Sequence, residues 1–474
     1  MSIIPADTAR FEATVAVAIV GGGACGLTAA LAARDAGVAP LVLEQAPHCQ
    51  GSSYMSLGAL CAAGTTAQLR AGVADDAETF LADILARTGG AADAVAARLI
   101  ATRAGSVVDW LAERHDVVFE WDAGWRPAFG HSRARLHATA GRSGADMMSR
   151  LADACDRAGV DVVTGARVTD LFATGDGTVR GLRVRRPDGS CEDIGCAALV
   201  LASCGFGDNP DMIARHIPDM REARYFGWEG NRGDAMRWGA ALGGALTHMD
   251  AYQGLGLLAD PYGIDVNPKL LIEGGIQINA RGARFANELD DVSGQGARVM
   301  REPGGFSWVV YDERIHRACA DLPQYRALLA LNARRSGETV AALADAIEVP
   351  EAALRQTLAE VAAAQGGRDA FGRRFETPCL APPLHALRVV GALFHTQGGL
   401  AIDPTARVVR EDGAALANLF AGGGAAVGIS GHGASGYLPG AGLSAAITLG
   451  AIAGTEAARC AGDVTIGAGP REVL

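Results

Sequence analysis

One stretch near the start of the chain constrains its fold more than any other. Ala16–Val20 (Ala-Val-Ala-Ile-Val) is a short apolar run of buried-strand type, followed at once by Gly21-Gly22-Gly23-Ala24-Cys25-Gly26. A helical pattern covers Leu27 to Ala36, Gly37 stops it, and Leu41-Val42-Leu43 makes a second strand ending in Glu44. Glycines alone would be a weak signal; strand, glycines, helix, strand and acid in this order are a specific one. Gly21 permits the tight turn, Gly23 lets a pyrophosphate approach the backbone, and Gly26 lets the helix lie close to the sheet. Ala24 and Cys25 lead into the helix, whose first N–H groups lack intrahelical partners and favour an anion. Glu44, with Gln45 behind it, ends the strand where ribose hydroxyls can be accepted. The stretch predicts an α/β, Rossmann-like dinucleotide-binding domain.

The rest of the chain repeats the theme of backbone made available to a cofactor. Gly51-Ser52-Ser53-Tyr54-Met55-Ser56-Leu57-Gly58 follows the second strand and offers small groups and hydroxyls. Probable helices, in pattern, cover Asp76–Arg87 and Ala92–Arg114. Strand patterns then run over Val160–Val163, Val168–Phe172, Val179–Arg185 and Ala198–Ala202, with Gly175-Asp176-Gly177 and Asp188-Gly189 as turns. The last strand enters Ser203-Cys204-Gly205-Phe206-Gly207, and Asn231–Ala235 opens a helix reaching Leu242. Gly274–Asn279 and Arg284–Glu288 suggest a hairpin, followed by helices over Glu338–Ala346 and Glu351–Ala364. Gly366-Gly367 and Pro378–Pro383 mark a return to the first domain. Four segments result: an extension, 1–14; a first part, 15–240; an inserted domain, 241–377; and a closing part, 378–474. The closing part holds His395-Thr396-Gln397-Gly398-Gly399, Gly422-Gly423-Gly424, and a glycine-rich run through Gly442 that opens a final apolar helix, Leu443–Ala458.

Composition excludes several function classes. At 474 residues, 49% of them hydrophobic and 20% charged, the chain exceeds the size at which one core stops growing. A net charge of −11 argues against nucleic acid, although Arg133, Arg135 and Arg142 form a local basic cluster, read either as a solvated face or as an anion site. The 10 cysteines show no CxxC pair and no metal-ligand spacing with histidine, so no metal is expected and all read as small hydrophobes or free thiols. They point to a reducing compartment. The N-terminus carries Asp7, Arg10 and Glu12 where a signal peptide would be apolar, and no stretch has the ~18 uncharged apolar residues of a membrane span. A cytoplasmic protein is expected.

Taken together, the glycine segments resemble the flavoprotein family of soluble fumarate reductases and 3-ketosteroid dehydrogenases. The similarity runs from Val15 to about Ala458. It rests on Gly21–Gly26 with Glu44, residues 51–58, Gly233-Asp234, Arg284–Glu288, His395–Gly399 and the terminal glycine helix. The resemblance implies a Rossmann-like FAD-binding domain (GR2-type) with an inserted α+β capping domain over the flavin. Besides the residues already named, it implies FAD contacts at Val168, Ser203, Gly205, Asp234, Gly423, Gly442, Leu443 and Ser444. It also implies hydride transfer between flavin and a carbon β to a carbonyl or carboxylate. FAD is expected to be non-covalent, since 51–53 read Gly-Ser-Ser without histidine.

Departures from the family pattern bear on the substrate. Fumarate reductases carry a substrate-binding arginine before the last helix; here the local counterpart is Tyr437, and Leu289–Ser293 holds no arginine either. Tyr437-Leu438-Pro439-Gly440-Ala441-Gly442 is similar to the Tyr-Pro-Gly-Ala-Gly run of ketosteroid dehydrogenases, with Leu438 inserted. The resemblance makes Tyr437 and the Gly442 amide oxyanion donors and His395 an acid/base or carbonyl-polarising group. No base is evident near Val292. Tyr54, Arg126 and His432 are further substrate candidates. No second GxGxxG unit, haem site or iron–sulfur motif is present, so electrons go to an external partner: a quinone, oxygen or a separate reductase. The leading expectation is desaturation of a cyclic ketone. The alternatives are ene reduction of an unsaturated acid, for which an arginine-lined pocket (Arg126, Arg133, Arg142) would speak, and a non-catalytic flavin redox sensor.

Overall fold

A computed structural model describes residues 2–121, 127 and 129–463. Arg126 lies outside the described residues. Two compact units form, one from 1–217, 227–252 and 395–474, the other from 218–226 and 253–394.

The first unit is built on a nine-stranded sheet among the described residues. Its strands are β1 (Ile3–Pro5), β2 (Ala13–Val20), β3 (Pro40–Leu43), β4 (Asp161–Val163), β5 (Arg167–Ala173), β6 (Val179–Arg185), β7 (Cys191–Leu201), β8 (Arg407–Val409) and β9 (Ala415–Ala421). The order is β1-β5-β6-β7-β2-β3-β4, with β9 also on β7 and β8 on β9. The β7, β2, β3 and β4 neighbours are parallel, as a strand–helix–strand crossover requires. β7 changes partner along its length: Cys191–Gly195 pair antiparallel with β6, and Leu199–Leu201 pair parallel with β9. Its last residues are therefore flanked by β2 on one side and β9 on the other, and all three strands end in glycine-containing loops.

Two helices complete the cradle. α1 (Ala24–Asp35) follows β2, and α3 (Ala441–Asp463) closes the described chain; a third, α2 (Asp234–Ala241), starts at Gly233. α1 and α3 meet backbone to backbone: a Cβ on Gly450 would lie 2.5 Å from the Cys25 carbonyl oxygen, and one on Gly454 would lie 2.0 Å from that of Ala29. By length and hydropathy Ala441–Gly462 could cross a bilayer, but 83% of its most apolar window is buried within the protein. A helix apolar on all sides because it is enclosed on all sides is a core helix.

The second unit carries a seven-stranded, mostly antiparallel sheet ordered 264–265, 252–259, 384–396, 306–312, 276–278, with 224–225 and 335–337 also on 384–396. Alternation along its central strands sends side chains to opposite faces. Val309, Tyr311, Leu387 and Val389 enter one core, and Trp308, Val310, Leu384 and Ala386 enter another. Helices such as Val340–Ala346 and Glu351–Ala363 supply the covering layer.

Several expectations need correcting. Residues 1–14 are no mere extension: Ile3–Pro5 pairs with Leu171–Ala173 and adds a strand to the sheet. The inserted unit runs over 253–394, not 241–377, with 218–226 added. Arg284–Glu288 is not half of a hairpin; Ile276–Ile278 pairs instead with Trp308–Val310. Arg135 does not belong to a basic face, for it is fully buried between Asp75 and Asp83.

Candidate active site

The glycine loop has the geometry that its sequence demanded. Gly21 adopts φ +110°, and a Cβ there would lie 2.5 Å from the Ala202 carbonyl oxygen. A Cβ on Gly26 would approach the Gly21 carbonyl oxygen to 1.8 Å, so this turn admits no side chain. Gly23 caps α1 without a side-chain bond, leaving the helix end to Ser53, whose Oγ accepts the Ala24 N–H at 3.2 Å. Glu44 is 8% exposed and its two oxygens accept the Gly22 N–H (2.7 Å) and the Ala46 N–H (2.8 Å). These bonds fix the carboxylate at the rim of the loop. Its backbone carbonyl accepts the Ala166 N–H at 2.8 Å, which brings the start of β5, and so Val168, to the same end. Gln45 lies against Gly230, where a Cβ would be 2.7 Å from its Nε2.

Residues 51–55 form a short helix, and the serines hold it in place. Ser52 Oγ accepts from Asn231 Nδ2 at 2.8 Å, while Ser56 Oγ donates to the Ser53 carbonyl and accepts the Gly58 N–H. Gly58 is closed on by the Ser143 carbonyl, and Leu57 beside it is half-buried. Two polar atoms further along lack partners: Ser203 Oγ after β7 and Asp234 Oδ1 at the start of α2 are buried and unbonded. Burial holds the Asp234 carboxyl above the usual carboxylate range. Such atoms cost about 1–3 kcal/mol each unless a ligand completes them, which suits a polyhydroxylated cofactor along this path. Gly205 lies where any Cβ would meet Thr396 Oγ1 at 2.0 Å, and Gly423 turns at φ +57°.

His395 is the last residue but one of the strand Leu384–Thr396, belongs to the first unit and is half-buried. Its Nε2 lies 3.4 Å from Cys204 Sγ and its Nδ1 lies 3.1 Å from Gln397 Nε2. Burial disfavours the imidazolium, yet the Cys204 sulfur outweighs it and raises His395 above its ordinary range. The Cys204 thiol moves down in turn, with His395 overcoming its burial. A narrow cleft of about 10 Å³ is lined by His395, Gln397, Gly423, Gly424, Gly442 and Ala445 among others, and among the described residues no arginine or lysine lines it. Gly442 lines the same cleft as His395, at the first turn of α3, where N–H groups have no intrahelical acceptor.

Other candidates are placed elsewhere. Tyr437 does not line that cleft; burial and the Cys61 sulfur push its hydroxyl's pKa upward, and a hydrogen bond with the Gly440 backbone opposes the shift. Ser444 has its N–H on the Gly440 carbonyl and its hydroxyl on the Cys61 backbone, so it ties α3 to the strand Ala59–Cys61. Leu443 is buried beside it. His432 is exposed and pairs with Asp250 at 2.9 Å, its ring edge-on to His248. Tyr54 is 40% exposed. Cys204, whose sulfur faces His395, was read from the sequence only as a small hydrophobe or free thiol. The available signal was its place in a glycine-rich loop directly after a buried strand. All ten cysteines are free, and no group of metal-ligating residues occurs among the described residues.

Fold and site define an α/β oxidoreductase that binds a dinucleotide cofactor through its first unit. The chain belongs to the FAD binding domain family (FAD_binding_2), whose model matches residues 16–449, and its cofactor is FAD. Over 459 residues it is 28% identical to a Shewanella frigidimarina protein named "Probable fumarate reductase Ifc3", covering 95% of this chain and 76% of that one. It is 27% identical to the 4-oxocyclohexanecarboxylate 2-dehydrogenase of Sinomonas cyclohexanicum, with 95% and 94% covered. Among solved structures, an open flavocytochrome c3 fumarate reductase superposes with TM-score 0.81 at 27% identity, covering 96% of this chain and 80% of that one. The 3-ketosteroid-Δ4-(5α)-dehydrogenase of Rhodococcus jostii RHA1 shares the fold, with TM-score 0.77 at 23% identity and coverage of 96% and 99%. The protein is thus an FAD-dependent oxidoreductase of this family.

Proposed function

We propose that this enzyme desaturates a cyclic ketone next to its carbonyl, with FAD bound non-covalently. The observation that carries this reading is the cleft at the start of α3, which presents a helix-end N–H and a histidine and, among the described residues, no arginine or lysine. A neutral ketone oxygen needs donors rather than a counter-charge, and one donor aimed at a developing oxyanion is worth about 3 kcal/mol. Bound FAD supplies the hydride acceptor. In this reading Gly442 N–H polarises the ketone, and His395 with its neighbours takes up the α-proton. Gly21–Gly26, Glu44, Ser53, Ser203 and Asp234 hold the nucleotide and its ribityl chain. Tyr437 acts through the fold of the 437–442 turn. Kinship with the 4-oxocyclohexanecarboxylate dehydrogenase supports a ring ketone. A cytoplasmic location and an external electron acceptor complete the proposal.

The equal kinship with fumarate reductases favours one second reading, the same site run as an ene reductase of an unsaturated acid. Anaerobic flavin bleaching separates them. Rapid bleaching by a saturated ring ketone is expected, slowed roughly 10²–10⁴-fold by His395→Ala. Reoxidation of the reduced enzyme by an enoic acid, with no ketone active, would replace the first reading by the second. Inertness to both classes would leave a flavin-binding protein without this chemistry.

A further inference from the structure

Cys204 stands at φ +64°, a left-handed backbone that suits glycine. What cysteine adds at this position is its sulfur, and the sulfur faces His395 Nε2 at 3.4 Å. The other ring nitrogen faces the Gln397 amide, whose Oε1 lies 3.4 Å from Ser430 Oγ. Both nitrogens of His395 are thus held by protein groups that can change role. A hydroxyl donates or accepts, and an amide turned by half a rotation exchanges its donor for its acceptor. As drawn, the Gln397 NH2 donates to Nδ1 and suits a neutral ring with its proton on Nε2, toward sulfur; rotated, its oxygen accepts from an imidazolium.

We propose that Cys204 is a functional partner of His395, the two sharing one proton between Sγ and Nε2 as a thiol–imidazole dyad that stores the proton exchanged with substrate. The proposal rests on the α-carbon chemistry assigned above. In its thiolate–imidazolium form the dyad is neutral overall. When the substrate α-C–H bond breaks, its proton passes to the dyad, where it turns the thiolate into a thiol. The bonding pair stays on the substrate as the new C=C forms, a hydride leaves the β-carbon for FAD, and the dyad ends with one positive charge. In reduction the same proton returns.

The surroundings support sharing. Each is the largest charge acting on the other, and Cys25, which also feels Cys204, is pushed by burial up to about 12 and stays a neutral thiol. The thiol of Cys204 shifts down and the ring of His395 shifts up, the directions expected of a pair that ionises together. Gly424 packs on the ring, with a hypothetical Cβ 3.0 Å from Nε2, so the imidazole is held toward the sulfur.

The test needs no substrate. The ultraviolet thiolate absorbance of the FAD-loaded enzyme is titrated as a difference between wild type and Cys204→Ser. The expected result is a thiolate signal that persists below the ~8.5 of a free cysteine and moves alkaline in His395→Gln. A signal that grows in only above about pH 8.5 in the wild type overturns the proposal. Should His395→Gln not fold, the wild-type difference alone decides. Failure of the two ideas is separable. A persistent thiolate with no bleaching by any ketone removes the desaturase reading and leaves the dyad. Bleaching with an ordinary thiol does the reverse.

Discussion

Single residues in this protein act mostly through what they leave out. Gly26 is the sharpest case, because its missing Cβ is what lets α1 begin beneath the Gly21 carbonyl. Gly26→Ala must move backbone, not a flexible side chain, so a cost at or above the ~1–3 kcal/mol of ordinary overpacking is expected. A fallen melting temperature together with lost flavin absorbance would show it; wild-type flavin content would refute it. Positions of this kind were legible in the sequence, since glycine in a strand–turn–helix context has few other uses. Tyr437 is a less local case. Its neighbours Pro439 and Gly440 suggest a donor facing substrate, and the structure shows the tyrosine buried, with Gly440 turning at φ +84° and burial and the Cys61 sulfur raising the pKa of its hydroxyl. Cys204 was illegible for another reason: a cysteine's chemistry comes from its partner, and His395 is 191 positions away.

Among elements, the legible ones were those with strong local periodicity. The βαβ start and the strands β5 and β6 appear near their expected limits, whereas β7 begins at Cys191 ahead of the expected Ala198 and the closing helix runs on to Asp463 beyond the expected Ala458. Pairings between distant strands carried no local signal. Ile276–Ile278 finds its partner across the intervening loop at Trp308, because the Arg284–Glu288 stretch is occupied by ion pairs and not by a ladder. The first strand, β1, is short, half exposed and sits at the sheet edge, its start also held by Ser2 Oγ donating to Asp170 at 2.7 Å. Removing residues 1–5 should therefore cost only about 1–2 kcal/mol, by a few net hydrogen bonds, and leave FAD binding intact. Chemical denaturation with flavin fluorescence checks both halves of that statement; loss of flavin on truncation would mean the edge supports the cradle.

At the scale of the whole chain, the order of segments was readable but their limits were not. Residues 245–252 look like the inserted domain in composition, yet Leu246–Thr247 pairs with Gly399–Leu400 inside the first unit. The prolines near 380 look like a return and instead precede the long strand Leu384–Thr396 of the second unit. That second unit hides a charged cluster whose titration has a global consequence. Glu288 is 2% exposed and accepts from Arg284, Arg373 and the Gln277 N–H, and Arg284 also pairs with Asp369. Burial opposes ionisation, but Arg373 and Arg284 hold the Glu288 carboxyl below its usual range. A folded-state pKa below the unfolded one gives stability that is present at neutral pH and is lost as pH falls through the carboxylate range. Wild-type melting temperature should fall between about pH 5 and 3. Glu288→Gln, which leaves two buried guanidinium groups short of charge, should be about 3–5 kcal/mol less stable at neutrality and flatter across that window. Parallel pH profiles for the two proteins would contradict this assignment.

The meeting of α1 with α3 sets a timetable for the molecule's birth. α1 is made long before the glycines that receive its backbone, Gly450 and Gly454. Until those glycines emerge, the face of α1 that they cover has no neighbour, and the end of β7 waits likewise for β9. The earlier strands and helices must hold that face open and then close over it, and while it is open it is a surface through which nascent chains can stick to one another.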